Sequence, residues 1–506
     1  MTDSSSHIDI AIVGTGFAGL GMAIKLREAG REDFAILERA EDLGGTWRDN
    51  TYPGCQCDIP SNLYSFSFRP NPDWTRTYPL QSEIWDYLRA VAQEHDLIPK
   101  IRFGHELTAA EWDEDAQLWR LSTSAGELSA RVLITGIGGL SDPRVPSLPG
   151  LSEFEGDVFH SAAWNHDVEL TGKRVAVVGT GASAIQFVPE IQPDVAQMHV
   201  FQRTPPWVTP STDRGVTRLE KWLFKRFPAT QRLRRSSLYW AHELYMPGVV
   251  GLTLDQRFLR VAAFVARKHL EKQVKDPGLR AALTPDYTIG CKRILKSNDW
   301  YPTLQKDNVE VLHSGVTEVR GSKVVDADGE EREVDAIIFG TGFHVEDIPV
   351  ASYVRGRGGR SLEEMWEGSP RAYMGVAIAD CPNLFMLTGP NSGQGHTSMV
   401  FMIESQIEQV KLALDARDAS GGGTIEVHPG AEKAWNDKIQ ERSKTTVWTQ
   451  GGCSSWYLDR NGRNSILWPD WTWRFRMRCK RFVANHWIAR PGRQAPAEPE
   501  PAKAAA

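Results

Sequence analysis

The sequence predicts an α/β protein with two Rossmann-like dinucleotide-binding domains, the second interrupted by a helical insertion. Three observations predict it. Gly14-Thr15-Gly16-Phe17-Ala18-Gly19 follows the apolar run Ile8–Val13, and Gly179-Thr180-Gly181-Ala182-Ser183-Ala184 follows Val175–Val178, 165 positions later. Each run reads as a buried parallel strand, and each glycine turn opens a segment of helical character. A long basic stretch, about 210–285, then separates the second turn from the strand signals that return at Val309–Leu312 and Val334–Phe339.

The glycines allow a tight turn and a close backbone approach to a pyrophosphate, whose charge is stabilised at the helix N-terminus. One such turn is weak evidence; two in strand–turn–helix context are not well explained as glycine-rich surface turns. The two units end differently. Strand Phe34–Leu37 ends in Glu38, nineteen residues after Gly19, where a carboxylate can accept hydrogen bonds from a ribose 2′-OH. Strand Met198–Phe201 ends in Gln202-Arg203-Thr204, without an acid, and Arg203 stands nineteen residues after Ala184. An arginine there binds a 2′-phosphate that an acid would repel. FAD is therefore expected at the first site and NADP(H) at the second.

A chain of 506 residues is too long for one typical core, so several domains are expected. An FAD-binding part is expected over 1–142, closing near Val132–Gly136. An interdomain linker follows over 143–170 and begins proline-rich. The NADP-binding domain is expected in two parts, 171–209 and 291–380, around a helical insertion at 210–290. The segment 381–493 returns to the FAD-binding domain, and 494–506, rich in Ala, Pro and Glu, is expected to be a disordered tail. Glycines after buried strands, at Gly340-Thr341-Gly342 and Thr388-Gly389-Pro390, suit backbone lying against a cofactor or ordinary strand-to-loop turns equally.

The net charge of −6 gives no global attraction to nucleic acid. The basic residues of the insertion (Arg218, Lys221, Lys225, Arg226, Arg232, Arg234, Arg235) read as a solvated face. No run is long and apolar enough to span a bilayer, and no secretory signal is apparent, so a cytoplasmic location is expected. The Trp- and Arg-rich run 467–493 reads as core aromatics with arginines in water, without peripheral membrane contact. The six cysteines show no metal-like spacing and no CxxC pair, which fits reduced thiols and no bound metal.

An FAD domain beside an NADPH domain leaves several chemistries open. A disulfide reductase needs a redox cysteine pair just after the first unit's Gly-Gly turn, but Trp47 stands there, and Cys55-Gln56-Cys57 has an unfavourable spacing for a disulfide. The segment Gly44-Gly45-Thr46-Trp47 through Tyr52-Pro53-Gly54 to Asp58 resembles the signature of the Baeyer–Villiger monooxygenases at every fixed position. Phe154-Glu155-Gly156 through His160 to Trp164-Asn165 resembles a second signature of that family, with Asn165 where the family carries Pro or Asp. The nitrogen- and sulfur-oxidising flavin monooxygenases carry Phe or Tyr and a base at those two positions. Cys291-Lys292-Arg293, Gly340-Thr341-Gly342-Phe343 and Cys453-Ser454-Ser455-Trp456-Tyr457 are similar to further family elements in the family's order.

The resemblance implies an FAD- and NADPH-dependent enzyme turning a small-molecule ketone and O2 into an ester or lactone, through an anionic C4a-peroxyflavin and a tetrahedral adduct. By resemblance, Arg293 is the cation that favours the anion, and Asp58 orients it. Alternatives for the two are a surface ion pair and a loop cap. The cofactor-binding candidates on the FAD side are Gly14, Gly16, Gly19, Glu38, Arg39, Thr46, Trp47, Asp58 and Tyr64. On the NADP side they are Gly179, Gly181, Ser183, Ala184, Arg203, Thr204, Lys292 and Trp456. His160 and Trp164 couple the domains, or His160 is a satisfied core histidine. The rival readings are an N- or S-oxygenating flavin monooxygenase, an NADPH-dependent flavin reductase and a non-catalytic binding module.

Overall fold

The computed structural model describes residues 6–244, 257–344, 350–453 and 455–492. The expected tail at 494–506 lies outside these residues.

The first apolar run forms the strand Ser6–Val13. It pairs in parallel with Phe34–Leu37 on one side and Gly126–Thr135 on the other, so it is an interior strand, and its two faces feed two separate core clusters. Ile10, Ala11 and Ile12 are fully inaccessible. The helix Phe17–Glu28 packs between this sheet and the long helix Met399–Ala419. It is therefore apolar nearly all round, as a sandwiched helix must be. Leu384–Met386 adds to the same sheet in parallel beside Gly126–Thr135, so the far end of the chain returns to it. An antiparallel flank, Leu107–Asp113 and Leu118–Thr123, widens the sheet.

The second sheet is wholly parallel, in the order Val309–Leu312, Gln197–Phe201, Arg174–Val178, Ala336–Phe339, Asp157–His160. Arg174–Val178 lies where the order reverses, and ligands bind at the carboxyl end of such a strand. That end carries the second glycine turn.

Between the strands Val208–Thr209 and Leu295–Lys296 the chain leaves for the helices Arg218–Arg226, Pro228–Glu243, Arg257–Gln273 and Pro277–Ala282. Local sequence sets their ends. Thr217 and Glu220 form a capping box, Pro228 fills a first-turn position, and Asp276 accepts from Leu279 N at 2.6 Å. Among the described residues no helix is long and apolar enough to cross a membrane, and no His/Cys/Asp/Glu group could hold a metal ion.

The run 467–493 forms the helix Thr472–Cys479 and the strand Trp487–Arg490. Trp468 and Trp487 are core residues, whereas Trp473 is exposed.

Two cysteines correct the expectation of reduced thiols. Cys291 and Cys453, 162 positions apart, form a disulfide. Sequence spacing carried no sign of it, because only the tertiary fold brings the two segments together. Cys55, Cys57, Cys381 and Cys479 are free and buried.

Candidate active site

One cavity of about 1410 Å³ runs between the two sheets and is lined by both glycine turns. It exceeds the roughly 300–1,000 Å³ usual for a single small ligand. In the first turn Gly14 has φ +97°, and a Cβ on Gly16 would meet nothing within 4 Å, so backbone faces open space. The helix behind it has no acid in its first turn and no side-chain cap, which leaves its N–H groups for an anion. The second turn repeats the design: Gly179 has φ +107°, a Cβ on it would sit 2.6 Å from Gly340 O, and Gly181 is nearly unobstructed. Gly340 thus belongs to the wall through its close backbone packing.

Two of the sequence candidates lie behind the wall instead of on it. Ala184 is fully buried, and its Cβ would be 3.4 Å from a Cβ at Gly340. Gly19 packs helix on turn, with its missing Cβ 1.8 Å from Gly14 O. Gly19→Ala is therefore expected to cost about 2 kcal/mol or more by forcing the turn open. The check is a lower thermal midpoint with loss of bound flavin; purified Gly19→Ala with normal flavin content would contradict it.

The remaining candidates line the cavity. Glu38 is buried at the end of its strand and bonds Thr15 Oγ1, Thr15 N at 3.2 Å, Ala40 N at 3.0 Å and Arg48 Nη1 at 2.9 Å. Its charge is neutralised in part by Arg48, a partner the sequence reading did not name. Arg39 pairs with Asp142 at 3.3 Å. Trp47 donates from Nε1 to Tyr64 Oη at 3.1 Å and packs edge-on against that ring.

Asp58 and Arg293, 235 positions apart, form a bidentate pair: Nε to Oδ2 and Nη2 to Oδ1, each 2.6 Å. Both side chains stay about 30% exposed (29% and 31%), because they face the cavity. The Asp58 charge raises the Arg293 pKa further despite burial. Burial alone would raise the Asp58 pKa, but the Arg293 charge and hydrogen bonds outweigh it and hold the carboxyl below its usual range. Lys296 reinforces the pair by donating to Asp58 O at 3.3 Å. Tyr457, buried, keeps its phenol neutral, its pKa pushed up to about 12 by burial.

The Asp58 loop is held from the second domain. Gln186 donates to Gln56 O at 2.9 Å and accepts from Tyr52 Oη at 2.9 Å, and Asp213 accepts from Gln56 Nε2 at 2.9 Å and Thr77 Oγ1 at 3.0 Å. Sequence reasoning missed Gln186, Asp213 and Lys296, since nothing in their spacing marks them. Burial pushes the Cys55 thiol up to about 12 and Cys57 well above its ordinary value, so neither thiolate is available at neutral pH.

On the other side Arg203 and Lys292 both line the cavity. Burial, then the Arg203 charge, lowers the Lys292 pKa. Among the described residues neither makes an ion pair, although the Asp286 charge also acts on Lys292, so both cations are available to an anion in the cavity. Thr204 lies beside them on the wall, and Ser183 accepts from Ser161 Oγ at 3.1 Å. Trp456 is 40% exposed at the cavity, three residues past Cys453, whose disulfide ties this loop to the segment of Lys292 and Arg293.

The expected linker contributes the strand Asp157–His160 to the second sheet; at its end His160 Nδ1 accepts from Ala162 N at 3.0 Å, and the ring packs against Phe343. Burial lowers its pKa to about 4, so it is neutral. Its lowered folded value means that its stabilisation is full above its ordinary 6.5 and is lost as pH falls toward 4. The thermal midpoint should therefore fall more between pH 7 and 5 in the native chain than in His160→Gln; parallel pH profiles would contradict this. Trp164 packs on Phe159 and Phe187, and Asn165 Oδ1 accepts from Asp167 N at 3.1 Å. An aspartate could make the same turn bond, so Asn165 keeps the geometry that the family's Asp would supply.

Comparison with known proteins agrees with this geometry. Residues 11–243 match the family model described as pyridine nucleotide-disulphide oxidoreductase. The chain is 49% identical over 96% of its length to a Baeyer–Villiger monooxygenase of Streptomyces coelicolor, covering 93% of that protein. Its structure resembles cyclohexanone monooxygenase from Rhodococcus sp. Phi1 bound to NADP+, with a TM-score of 0.86, 29% identity, and 97% and 100% of the two chains covered. It also resembles OTEMO in complex with FAD and NADP, with a TM-score of 0.85, 25% identity, and 96% and 100% covered. By this likeness along nearly its whole length, the chain belongs to the Baeyer–Villiger monooxygenases, FAD- and NADP-dependent oxidoreductases.

Proposed function

We propose that this enzyme uses NADPH and O2 to insert one oxygen atom beside the carbonyl of a small-molecule ketone, releasing an ester or lactone. The observation that carries the reading is the bidentate Asp58–Arg293 pair on the wall of the cavity shared by both glycine turns. When bound, the flavin accepts hydride from NADPH and activates O2 for attack on the carbonyl carbon.

The chain's own residues hold, orient and charge the site. Gly14, Gly16 and the following helix N-terminus take the FAD pyrophosphate, with Glu38 and Arg39 on the ribose side and Thr46, Trp47 and Tyr64 further along the wall. Gly179, Gly181 and Ser183 do the same for NADP, whose 2′-phosphate is met by Arg203, Thr204 and Lys292. Trp456, on the wall of the same cavity, would contact the nicotinamide cofactor. Arg293 is a permanent cation that stabilises negative charge developing on the reacting oxygens, and its fork is fixed in advance by Asp58. His160, neutral and buried, and Trp164 transmit contact between the domains and take no part in proton transfer.

The rival oxidation of an amine or sulfide needs no such fixed cation, and a flavin reductase needs no Asp58–Arg293 pair at all. The test is incubation of the holoenzyme with NADPH in air and a panel of one cyclic, one straight-chain and one aryl methyl ketone. Ester or lactone in the extract supports the proposal. Amine oxide from an amine panel with no ester from any ketone supports the rival. Complete conversion of NADPH equivalents to H2O2 supports the reductase.

A further inference from the structure

The helix Pro228–Glu243 turns large apolar side chains to solvent. Its inward face is mixed: Gln231 donates to Asn62 Oδ1 at 2.9 Å and Asn71 O at 2.6 Å, Arg235 donates to Asn62 O at 2.8 Å and Ser65 O at 3.0 Å, and Leu238 and Tyr239 pack on the core. Its outward face is apolar. Leu233, Trp240 and, at its cap, Leu244 are 72%, 55% and 69% exposed, and their spacing places them on one stripe. The neighbouring helix Arg218–Arg226 adds exposed Leu219 and Trp222, and Phe227 at the joint packs edge-on against Trp222.

Cations frame this stripe. Arg218, Lys225, Arg226, Arg232 and Arg234 are exposed around it. Among the described residues only Lys225 of these has an ion pair, with Asp73. Between 218 and 280 the chain carries fourteen Lys and Arg against five Asp and Glu, although its net charge is −6. The basic face was expected to be merely solvated. Exposed tryptophan and leucine set among the cations are a tertiary fact that the sequence pattern did not show.

We propose that this helical hairpin is a docking surface for an anionic lipid bilayer. Tryptophan and leucine enter the headgroup–acyl boundary, and the arginines meet anionic headgroups. A second copy of the chain is the poorer occupant, since a two-fold contact would set the same cations against one another. A small cavity of about 180 Å³ lies beneath the hairpin, walled by Arg235, Tyr239, Trp240, Thr397 and Phe401. Thr397 also lines the cavity of Asp58 and Arg293. If the ketone reading holds, docking would bring this side of the enzyme to apolar substrates dissolved in lipid; docking itself does not depend on that reading.

The test is sedimentation of the holoenzyme with vesicles of phosphatidylcholine alone and of phosphatidylcholine with about one-third phosphatidylserine. Binding is expected on the anionic vesicles, weakening as salt is raised. A Leu219→Glu/Leu233→Glu variant and an Arg232→Glu/Arg234→Glu variant should each lose about tenfold or more in partitioning, with native flavin absorbance and thermal midpoint. Absence of binding to anionic vesicles overturns the proposal, as does binding that both variants retain. A concentration-dependent dimer in light scattering that Leu219→Glu/Leu233→Glu abolishes assigns the stripe to a second copy and overturns it too.

Discussion

Arg293→Ala is expected to lower ester formation about 10³-fold while NADPH oxidation stays within about threefold, the reducing equivalents emerging as H2O2. Arg293 faces the cavity and is pinned by two 2.6 Å bonds to Asp58. The 2′-phosphate contacts of Arg203 and Lys292 do not use it, so cofactor binding should survive its loss. Removing it deletes a preorganised charge where charge develops in the reaction, and solvent cannot replace that without reorganising. Arg293→Lys should recover little, because an ammonium cannot reproduce the fork. Asp58→Ala should also impair ester formation by freeing the guanidinium to swing. The pair itself adds no titration near neutral pH. Arg293 holds the Asp58 carboxyl below its usual range, so the ion pair persists until pH falls through that depressed value. Ester yield per NADPH measured across these variants checks the account; a normal yield from Arg293→Ala removes Arg293 from the chemistry.

The second large effect is on cofactor choice. Arg203→Ala should raise KM for NADPH about 30- to 100-fold and leave KM for NADH within about threefold. A charge-assisted contact to the 2′-phosphate is lost in one case and was never present in the other. Lys292 supplies the remaining cation; burial, the larger cause of its lowered pKa, persists in the variant, and only the part due to the Arg203 charge is relieved. Steady-state kinetics with both nucleotides decide the matter; equal losses for NADPH and NADH would contradict the phosphate role.

The parts of the fold legible in the sequence were those with local signatures. The glycine turns, the apolar strands that feed them and the acid-or-arginine endings are set by neighbours within about twenty residues. Glu38 and Arg203 accordingly stand on the cavity wall where the spacing puts them. Gly19 and Ala184 share the same motif, yet they serve packing, a distinction made only by the 1.8 Å approach of Gly19 to Gly14 O and the burial of Ala184. Asp58 and Arg293 were paired through family resemblance, not spacing, and the fold brings them together across 235 positions. The Cys291–Cys453 disulfide and the Gln186 and Asp213 clamps had no local sign, because each depends on contact between distant segments. The apolar stripe at Leu233 and Trp240 was hidden for a related reason: periodicity shows that a helix has two faces but not which one the protein turns outward.

In the proposed reaction the cavity must keep activated oxygen available until a ketone arrives. The most direct measurement is sequential mixing: holoenzyme reduced by one equivalent of NADPH meets O2, ages for several seconds, and then meets a cyclic ketone. The account predicts ester in near proportion to enzyme after the delay, and almost none from Arg293→Ala treated identically. Immediate release of H2O2 during the delay, with no ester from the native enzyme on any ketone of the panel, would contradict it.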